Sequence, residues 1–447
     1  MYPERPNTNG GIMENLNLTR SMQLYNEAIE IIPGGSQTMS KRATAFALGA
    51  MPIYIDRAEG CRVWDVDGNE YVDFIGALGP ITLGYCYPAV DEAVREQLLR
   101  GSIFPMLSPL EVEAARAVIE CVPCAEMVRF LKTGAEGTAA AARIARGFTG
   151  RDLILSSGYH GWLDTWAAAN NPPADRGVPK CLRGSIETFG FGAFEGDNSL
   201  EAVLDRHEGE VAGIILEPVT YSSTDTGDFL RWARELADKH DVPLIYDEIV
   251  SGFRVALGGA QEHFGVIPDI AVFAKGISNG LPLAAVAGKR EIMKVAGELV
   301  ISSTYGGDAL SLAAVVACLR EYREKAVIPH LWAMGERLMD GANRIAEGAG
   351  LALVFRGWPV MSQFAFGYAP EVNQDLMTLL LQEMAKRGVL IRRGGLNFIN
   401  YSHKAEHIDL ALDAFREVFP ILRAAHDSGD IKSHLVTTEV ADSIRRF

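Results

Sequence analysis

Lys275 follows the apolar run Ile270-Ala271-Val272-Phe273-Ala274, and Asp247 follows Leu244-Ile245-Tyr246. A lysine at the end of a buried strand loses hydration, which lowers its pKa toward the range where the amine is nucleophilic. Gly276, Gly280 and Pro282 come next and belong to a turn. The plain alternative is a surface lysine that caps a strand. Asp247 closes a run too apolar to need a charge, and its plain alternative is a helix N-cap. Three more apolar runs end in polar residues: Thr133-Gly134-Ala135 after "VRFLK", Tyr159-His160-Gly161 after "LILSS", and Glu217-Pro218 after "GIIL".

Each of these ends can be given a task. "KTGAEGTAAAARIARG" sets Gly134 and Gly137 at the head of an alanine-rich helix, whose unpaired N–H groups and dipole make an anion site. No Gly-Lys-Ser/Thr follows, so the turn is not a nucleotide P-loop. "GFGAFEG" at 190–196 has neither the spacing nor the following helix of a dinucleotide fingerprint. Asp247 can face a protonated heterocyclic nitrogen, and Tyr159 offers a flat ring for stacking or is an ordinary buried tyrosine. An anion turn, a stacking ring, a carboxylate and a strand-end amine are contacts that pyridoxal 5'-phosphate requires.

The elements that must bring these residues together are legible in outline. From about residue 85, helical stretches ("AVDEAVREQLL", "EGTAAAARIARGF", "DFLRWARELADKH") alternate with short apolar runs. That alternation predicts a mostly parallel sheet with helices on both faces, and ligands bind beyond the carboxyl ends of such strands. Before it, a helix over about 16–32 stops at Pro33-Gly34-Gly35, and "MPIYIDRAEGCRVWDVDGNEYVDFIG" predicts antiparallel strands turning at Asp67-Gly68-Asn69. After it, "ISSTYGGDALSLAAVVACLREYREKA" predicts a turn and a helix starting at Ser311. The remainder predicts a smaller α+β unit that packs with the N-terminal strands. The expected divisions are an arm and helix at 1–35, strands at 36–75, a large cofactor-binding domain at 76–315 and a small domain at 316–447.

The bulk figures narrow the partners. A net charge of −15 with no basic block makes nucleic acid and anionic membrane poor ligands. No apolar run reaches membrane-span length, and the first twenty residues, read as a disordered lead-in, lack a signal-peptide core. The chain is therefore expected to be cytoplasmic. Cys121-Val122-Pro123-Cys124 has no second pair and no histidine nearby, so it reads as structural and no metal is expected.

Taken together, the stretches "PGGSQTMSKRA", "VWDVDGNEYVDF", "TGAEGTAAAARIARGFTGRD", "GYHGW", "LIYDEIVSGFR", "FAKGISNGLP" and "STYGGDALSLAA" resemble the class III aminotransferases of the type I pyridoxal-phosphate fold. The branch they resemble is that of glutamate-1-semialdehyde aminomutase, and the likeness runs from about residue 20 to 420. It implies that Lys275 forms the Schiff base, that Asp247 pairs with the pyridine nitrogen, and that Tyr159 and Ile249 pack on the two ring faces. Gly134 and Ala135 would bind the phosphate, with Thr133, His160 and Glu217 also at the cofactor. Thr304 would reach the phosphate of a neighbouring subunit, which implies a homodimer with shared active sites.

Two departures stand out. Ala135 replaces a hydroxyl residue, so backbone N–H groups and Thr133 or Thr304 must do more. Gly394-Gly395 replaces a gating glutamate of the aminomutase. The stretches "GYHGW" and "LGGAQEHFGVIPD" resemble aminotransferases of this branch associated with amino sugars or unusual amino acids, so the expected activity is an aminotransferase of that kind. The alternatives are an aminomutase or a catalytically silent binding protein on the same fold. Lys41, Arg42, Arg254, Arg392 and Arg393 are candidates to hold a substrate anion, against the plain alternative of solvated charges and, for Arg254 in "SGFR" just past Asp247, of a purely structural role.

Overall fold

The computed structural model describes residues 16–169, 175–220, 224 and 226–438. The expected lead-in at the N-terminus falls mostly outside them. The chain divides into two compact units. One comprises Met1–Leu78, Gly84–Cys86 and Ala333–Ser443, and the other Gly79–Leu83, Tyr87–Trp332 and Ile444–Phe447.

The first unit begins with the helix Thr19–Ile31 and three antiparallel strands, β1 (Ile55–Glu59), β2 (Arg62–Asp65) and β3 (Glu70–Asp73). The turn between β2 and β3 is fastened by Asp65, whose Oδ1 accepts the Asp67 and Asn69 N–H groups at 3.0 and 2.8 Å. The turn falls at Asp67-Gly68-Asn69 as expected, and the Asx contact that closes it comes from Asp65, just before that stretch.

The second unit is built on a seven-stranded sheet. Its strands are β4 (Met127–Leu131), β5 (Leu153–Ser157), β6 (Ile186–Thr188), β7 (Val211–Leu216), β8 (Leu244–Asp247), β9 (Ile270–Phe273) and β10 (Ala284–Gly288), in the spatial order β4-β10-β9-β8-β7-β5-β6. All are parallel except β10, which runs antiparallel to β4 and β9. Strands β7 through β10 are buried at every position, as strands covered on both faces must be. The helix Gly134–Thr149 lies over this core with Ala141, Ala142, Ile144 and Ala145 fully buried. Its small residues let it approach the sheet closely; a Cβ on Gly137 would stand 2.7 Å from Val272 Cγ1.

The helix expected to start at Ser311 starts at Ala309 and runs to Glu324. Asp308 is its N-cap, accepting from the Leu310 and Ser311 N–H groups, so the first turn begins two residues earlier than expected. The chain then returns to the first unit within the helix Val327–Gly348. There β11 (Leu353–Trp358), β12 (Met361–Phe366) and β14 (Asn397–Phe398) form a small antiparallel sheet, and β13 (Val389–Leu390) pairs in parallel with β3. Among the described residues, no helix is long and apolar enough to cross a membrane.

Candidate active site

Five carboxyl-terminal strand ends of the second unit carry the residues singled out above. At the end of β4, Thr133 caps the helix Gly134–Thr149. Its hydroxyl accepts from Glu136 N at 3.2 Å, while Glu136 Oε2 accepts from the N–H groups of Lys132 and Thr133. This reciprocal box occupies the Thr133 acceptor and leaves the N–H groups of Gly134 and Ala135 with no partner inside the helix. Ile249 packs across this turn, where a Cβ on Gly134 would come within 2.6 Å of its Cδ1. Ala135 faces Gly161, whose own Cβ would lie 2.5 Å from that of Ala135 and whose φ of +129° is a glycine conformation. A larger residue at either position would push the two loops apart.

At the end of β5 the chain presents Tyr159 and His160. His160 Nδ1 lies 2.7 Å from Asp247 Oδ2, and both side chains are almost wholly buried. The other Asp247 oxygen, Oδ1, accepts from Ile249 N at 3.2 Å. No helix follows Asp247, so the N-cap reading does not apply; its carboxylate closes a turn and holds a histidine. His160 is fixed in turn by Thr138, which donates its hydroxyl to the His160 carbonyl and accepts from Trp166 Nε1 at 2.9 Å. The Trp166 ring meets the imidazole edge-on at 5.2 Å. His160 Nε2 is buried and, among the described residues, has no hydrogen-bond partner.

Glu217, at the end of β7, accepts from Tyr159 N at 3.0 Å. Its pKa is raised by burial first and by the Asp247 charge second, and is drawn back by His160, the Tyr159 N–H and Lys275. Asp247, His160 and Lys275 therefore all lie within electrostatic reach of Glu217. Lys275 itself opens a short 3-10 turn, Lys275–Ser278, at the end of β9. Lys275, Tyr159, Ile249 and Ala135 are half-buried, whereas Asp247 and His160 are buried.

Thr304 stands on an exposed turn, Thr304–Gly307, and among the described residues no contact that joins the others includes it. Thr138 and Trp166 carry no signal in the sequence, and Glu248 stands there only as the acid that follows Asp247 at the strand end. Glu248 is fully buried and accepts from Ser251 Oγ and from the N–H groups of Ala260 and Gln261 at 2.9 and 3.1 Å. Its only sequence signal was a second acid beside Asp247.

Of the candidate anion holders, Arg254 is 1% exposed and donates to main-chain carbonyls and Thr82, so it is spent inside the fold. Arg393 donates to Gln374 O, Phe46 O and Thr378 Oγ1. Arg42 keeps a buried Nε without a partner. Cys121 and Cys124 are buried, and burial pushes their thiols up to about 11 and about 12, so neither is poised for redox chemistry.

Strand-end residues of this kind over a parallel sheet define an enzyme of the transaminase fold. The chain belongs to the class III aminotransferases, whose family model matches residues 44–419. It is 36% identical to the glutamate-1-semialdehyde 2,1-aminomutase of Syntrophobacter fumaroxidans (strain DSM 10017 / MPOB), over 90% of this chain and 97% of that protein. It is 34% identical to the 3-aminobutyryl-CoA aminotransferase of Cloacimonas acidaminovorans (strain Evry), again over 90% and 97%. Among solved structures, the FumI protein of Sphingopyxis sp. MTA144, determined in its pyridoxal phosphate internal aldimine form, superposes with a TM-score of 0.86 at 27% identity, covering 92% of this chain and 98% of that one.

The cofactor is pyridoxal phosphate, and the residues present fit it. Two N–H groups without helical partners at a helix N-terminus suit a phosphate, a buried carboxylate suits a ring nitrogen, and a lysine amine lies within electrostatic reach of Glu217.

Proposed function

We propose that this enzyme moves an amino group from an amino acid donor to a carbonyl acceptor in two half-reactions, with ping-pong kinetics. The observation that carries the reading is the Lys275, Asp247, His160 and Glu217 cluster, in which an amine and a buried, histidine-held carboxylate end neighbouring strands. When bound, the cofactor supplies the electron sink and carries the amino group between the two halves. Lys275 would hold the cofactor covalently and, once released by the donor, would act as the base that takes a proton from the substrate carbon and returns it two atoms away, across the nitrogen. Asp247 would keep the ring nitrogen protonated, with His160 fixing its carboxylate. Tyr159 and Ile249 would pack against the ring. The Gly134 and Ala135 N–H groups, with the Thr133 hydroxyl as donor, would hold the phosphate. Glu217 fixes the Tyr159 backbone.

The substrate pair belongs to amino sugar or unusual amino acid chemistry. The 3-aminobutyryl-CoA aminotransferase relative supports a nitrogen carried away from an ordinary α-carbon. The aminomutase relative favours a second reading, intramolecular transfer. Against it, the stretch Ile391-Arg392-Arg393-Gly394-Gly395-Leu396 offers no carboxylate to gate a released intermediate.

The working form is a homodimer in which Thr304 reaches the partner's phosphate. Leu99, Met106 and Leu107 are each at least 80% exposed in the segment between two helices of the second unit, apolar surface that a second copy would cover. Ser102 of that segment accepts from Ala309 N at 2.8 Å, tying it to the helix that follows Thr304. Six free thiols, four of them buried, support a reducing cytoplasmic setting. The testing experiment presents amino donors one at a time to purified holoenzyme and follows the visible cofactor absorbance. A donor that bleaches it, with recovery on adding a separate carbonyl acceptor, supports transamination. Product formation from one substrate with no added acceptor supports the mutase reading instead.

A further inference from the structure

Lys275 starts its turn at φ +48° and Asn279 closes it at φ +45°, both in the left-handed region that residues with a Cβ avoid. Such a conformation persists only where the surroundings impose it. Here the surroundings are the segment Gly79–Leu83, remote in sequence but part of the same unit. Asn279 Oδ1 accepts from the N–H groups of Thr82 and Leu83 at 3.1 and 2.9 Å. Tyr322, fully enclosed, donates its hydroxyl to the Gly276 carbonyl at 2.6 Å. A Cβ on Gly276 would stand 2.9 Å from Thr82 Oγ1, so the threonine hydroxyl lies directly against the residue after Lys275.

Arg254 joins these parts. Its Nη2 donates to the Gly79 carbonyl and, at 3.0 Å, to Thr82 Oγ1, while its Nε donates to Val250 O at 3.2 Å. Val250 belongs to the turn that Asp247 closes. One buried guanidinium thus spans the Asp247 turn on one side and, through Thr82, the Lys275 turn on the other. A planar fork with several fixed donors suits this task in a way that a single ammonium does not.

We propose that Arg254, acting through Thr82, is a positioning residue that sets the direction from which Lys275 presents its amine relative to Asp247. The proposal rests on the reading of Lys275 as the lysine that holds the cofactor. It also gives the "SGFR" arginine a task other than binding substrate.

The test uses the full chain with Arg254→Met, Arg254→Lys, Thr82→Val and Thr82→Ser. Pyridoxal phosphate is added to each apoprotein, the rate at which a borohydride-reducible link forms is measured, and cofactor retention and melting temperature are recorded separately. Arg254→Met and Thr82→Val should each slow link formation about tenfold or more, because a misdirected amine loses its near-attack geometry. Cofactor retention through the helix end should change much less. Thr82→Ser should restore the wild-type rate, and Arg254→Lys should fall between. If Thr82→Val and Arg254→Met form the link at the wild-type rate and differ only in melting temperature, the contacts merely hold the fold and the proposal is overturned. If Arg254→Met does not fold, the Thr82 pair decides alone. A wild-type protein with no reducible link at Lys275 would instead overturn the functional reading, before any variant is made.

Discussion

At the turn Lys275–Ser278 the main chain is held by Asn279, Tyr322 and, through Thr82, Arg254, nearly all of it away from solvent. At the turn Thr304–Gly307 the fixing bonds are local, Gly306 N to Ser303 O at 3.0 Å and Asp308 N to Tyr305 O at 3.1 Å, and Tyr305 is 61% exposed. Both turns stand before or at a helical start with hydroxyl or amine groups on offer. The first is finished within one chain. The second presents its polar groups outward, beside apolar side chains that water does not favour. The Lys275 turn is thus held within one chain, while the proposed homodimer would turn the outward-facing Thr304 turn toward a second copy.

The largest effect should come from the finished region. Lys275→Ala should lower turnover by about 10⁴-fold or more, since both covalent capture and the proton shuttle are lost. Cofactor should still bind through Asp247 and the Gly134–Ala135 helix end. Steady-state assays with equilibrium dialysis would show both parts, and substantial turnover in this variant would break the comparison on its first side. Next in size, Asp247→Asn should cost roughly 10²- to 10³-fold in kcat, about 3 to 4 kcal/mol of barrier. A neutral amide neither holds the ring nitrogen protonated nor attracts His160.

The outward turn makes a different kind of prediction. Lys275→Ala and Thr304→Asp should each be inactive alone. When the two are mixed and subunits exchange, each hybrid dimer has one site with both lesions and one with neither. A fully randomised equimolar mixture should then regain about a quarter of wild-type activity, because about half of its dimers are hybrids with one good site each. No recovery despite exchange, shown by mass of tagged hybrids, would mean that Thr304 serves its own chain's site.

The smallest effect concerns Glu248. Burial raises its pKa to about 7, the Ser251 hydroxyl and the N–H groups of Ala260 and Gln261 pulling it back only in part. An unfolded glutamate titrates near 4.3, so across the window between these values the folded protein keeps a proton that the unfolded chain has released. Stability from this group is complete below the lower value and is lost as pH rises through about 7. Melting curves of Glu248→Gln should therefore fall less steeply than wild type between about pH 4.5 and pH 7. An identical slope would show that Glu248 keeps its charge throughout.

Much of this was legible in the sequence because buried parallel strands leave a plain signal. Runs such as Val211–Leu216 and Ile270–Phe273 end in polar residues, and an open sheet gathers those ends. The short strand Ile186–Thr188 gave no such signal, since three residues with a glutamate at the centre have neither length nor apolar character. The antiparallel sense of β10 was equally hidden, because Ala284–Gly288 reads the same in either direction. At the site, residue types pointed to Asp247 and Lys275, but only the fold shows that His160 holds Asp247 and that Thr138 and Trp166 hold His160. Arg254 had two readings in the sequence, an anion holder by its type or a structural residue beside Asp247, and its burial among carbonyls decides for the second.

One measurement bears most directly on the central claim that Lys275 and its neighbours form a transaminase site. Purified holoenzyme is reduced with borohydride, digested, and the pyridoxyl-bearing peptide identified by mass spectrometry, in parallel with a sample first exposed to an excess of active amino donor. The account predicts that the label sits on Lys275 in the "FAKGISNGLP" peptide and that the donor, by displacing the lysine, abolishes it. Label on another lysine, or on Lys275 to the same extent after every donor that turns over, would contradict it.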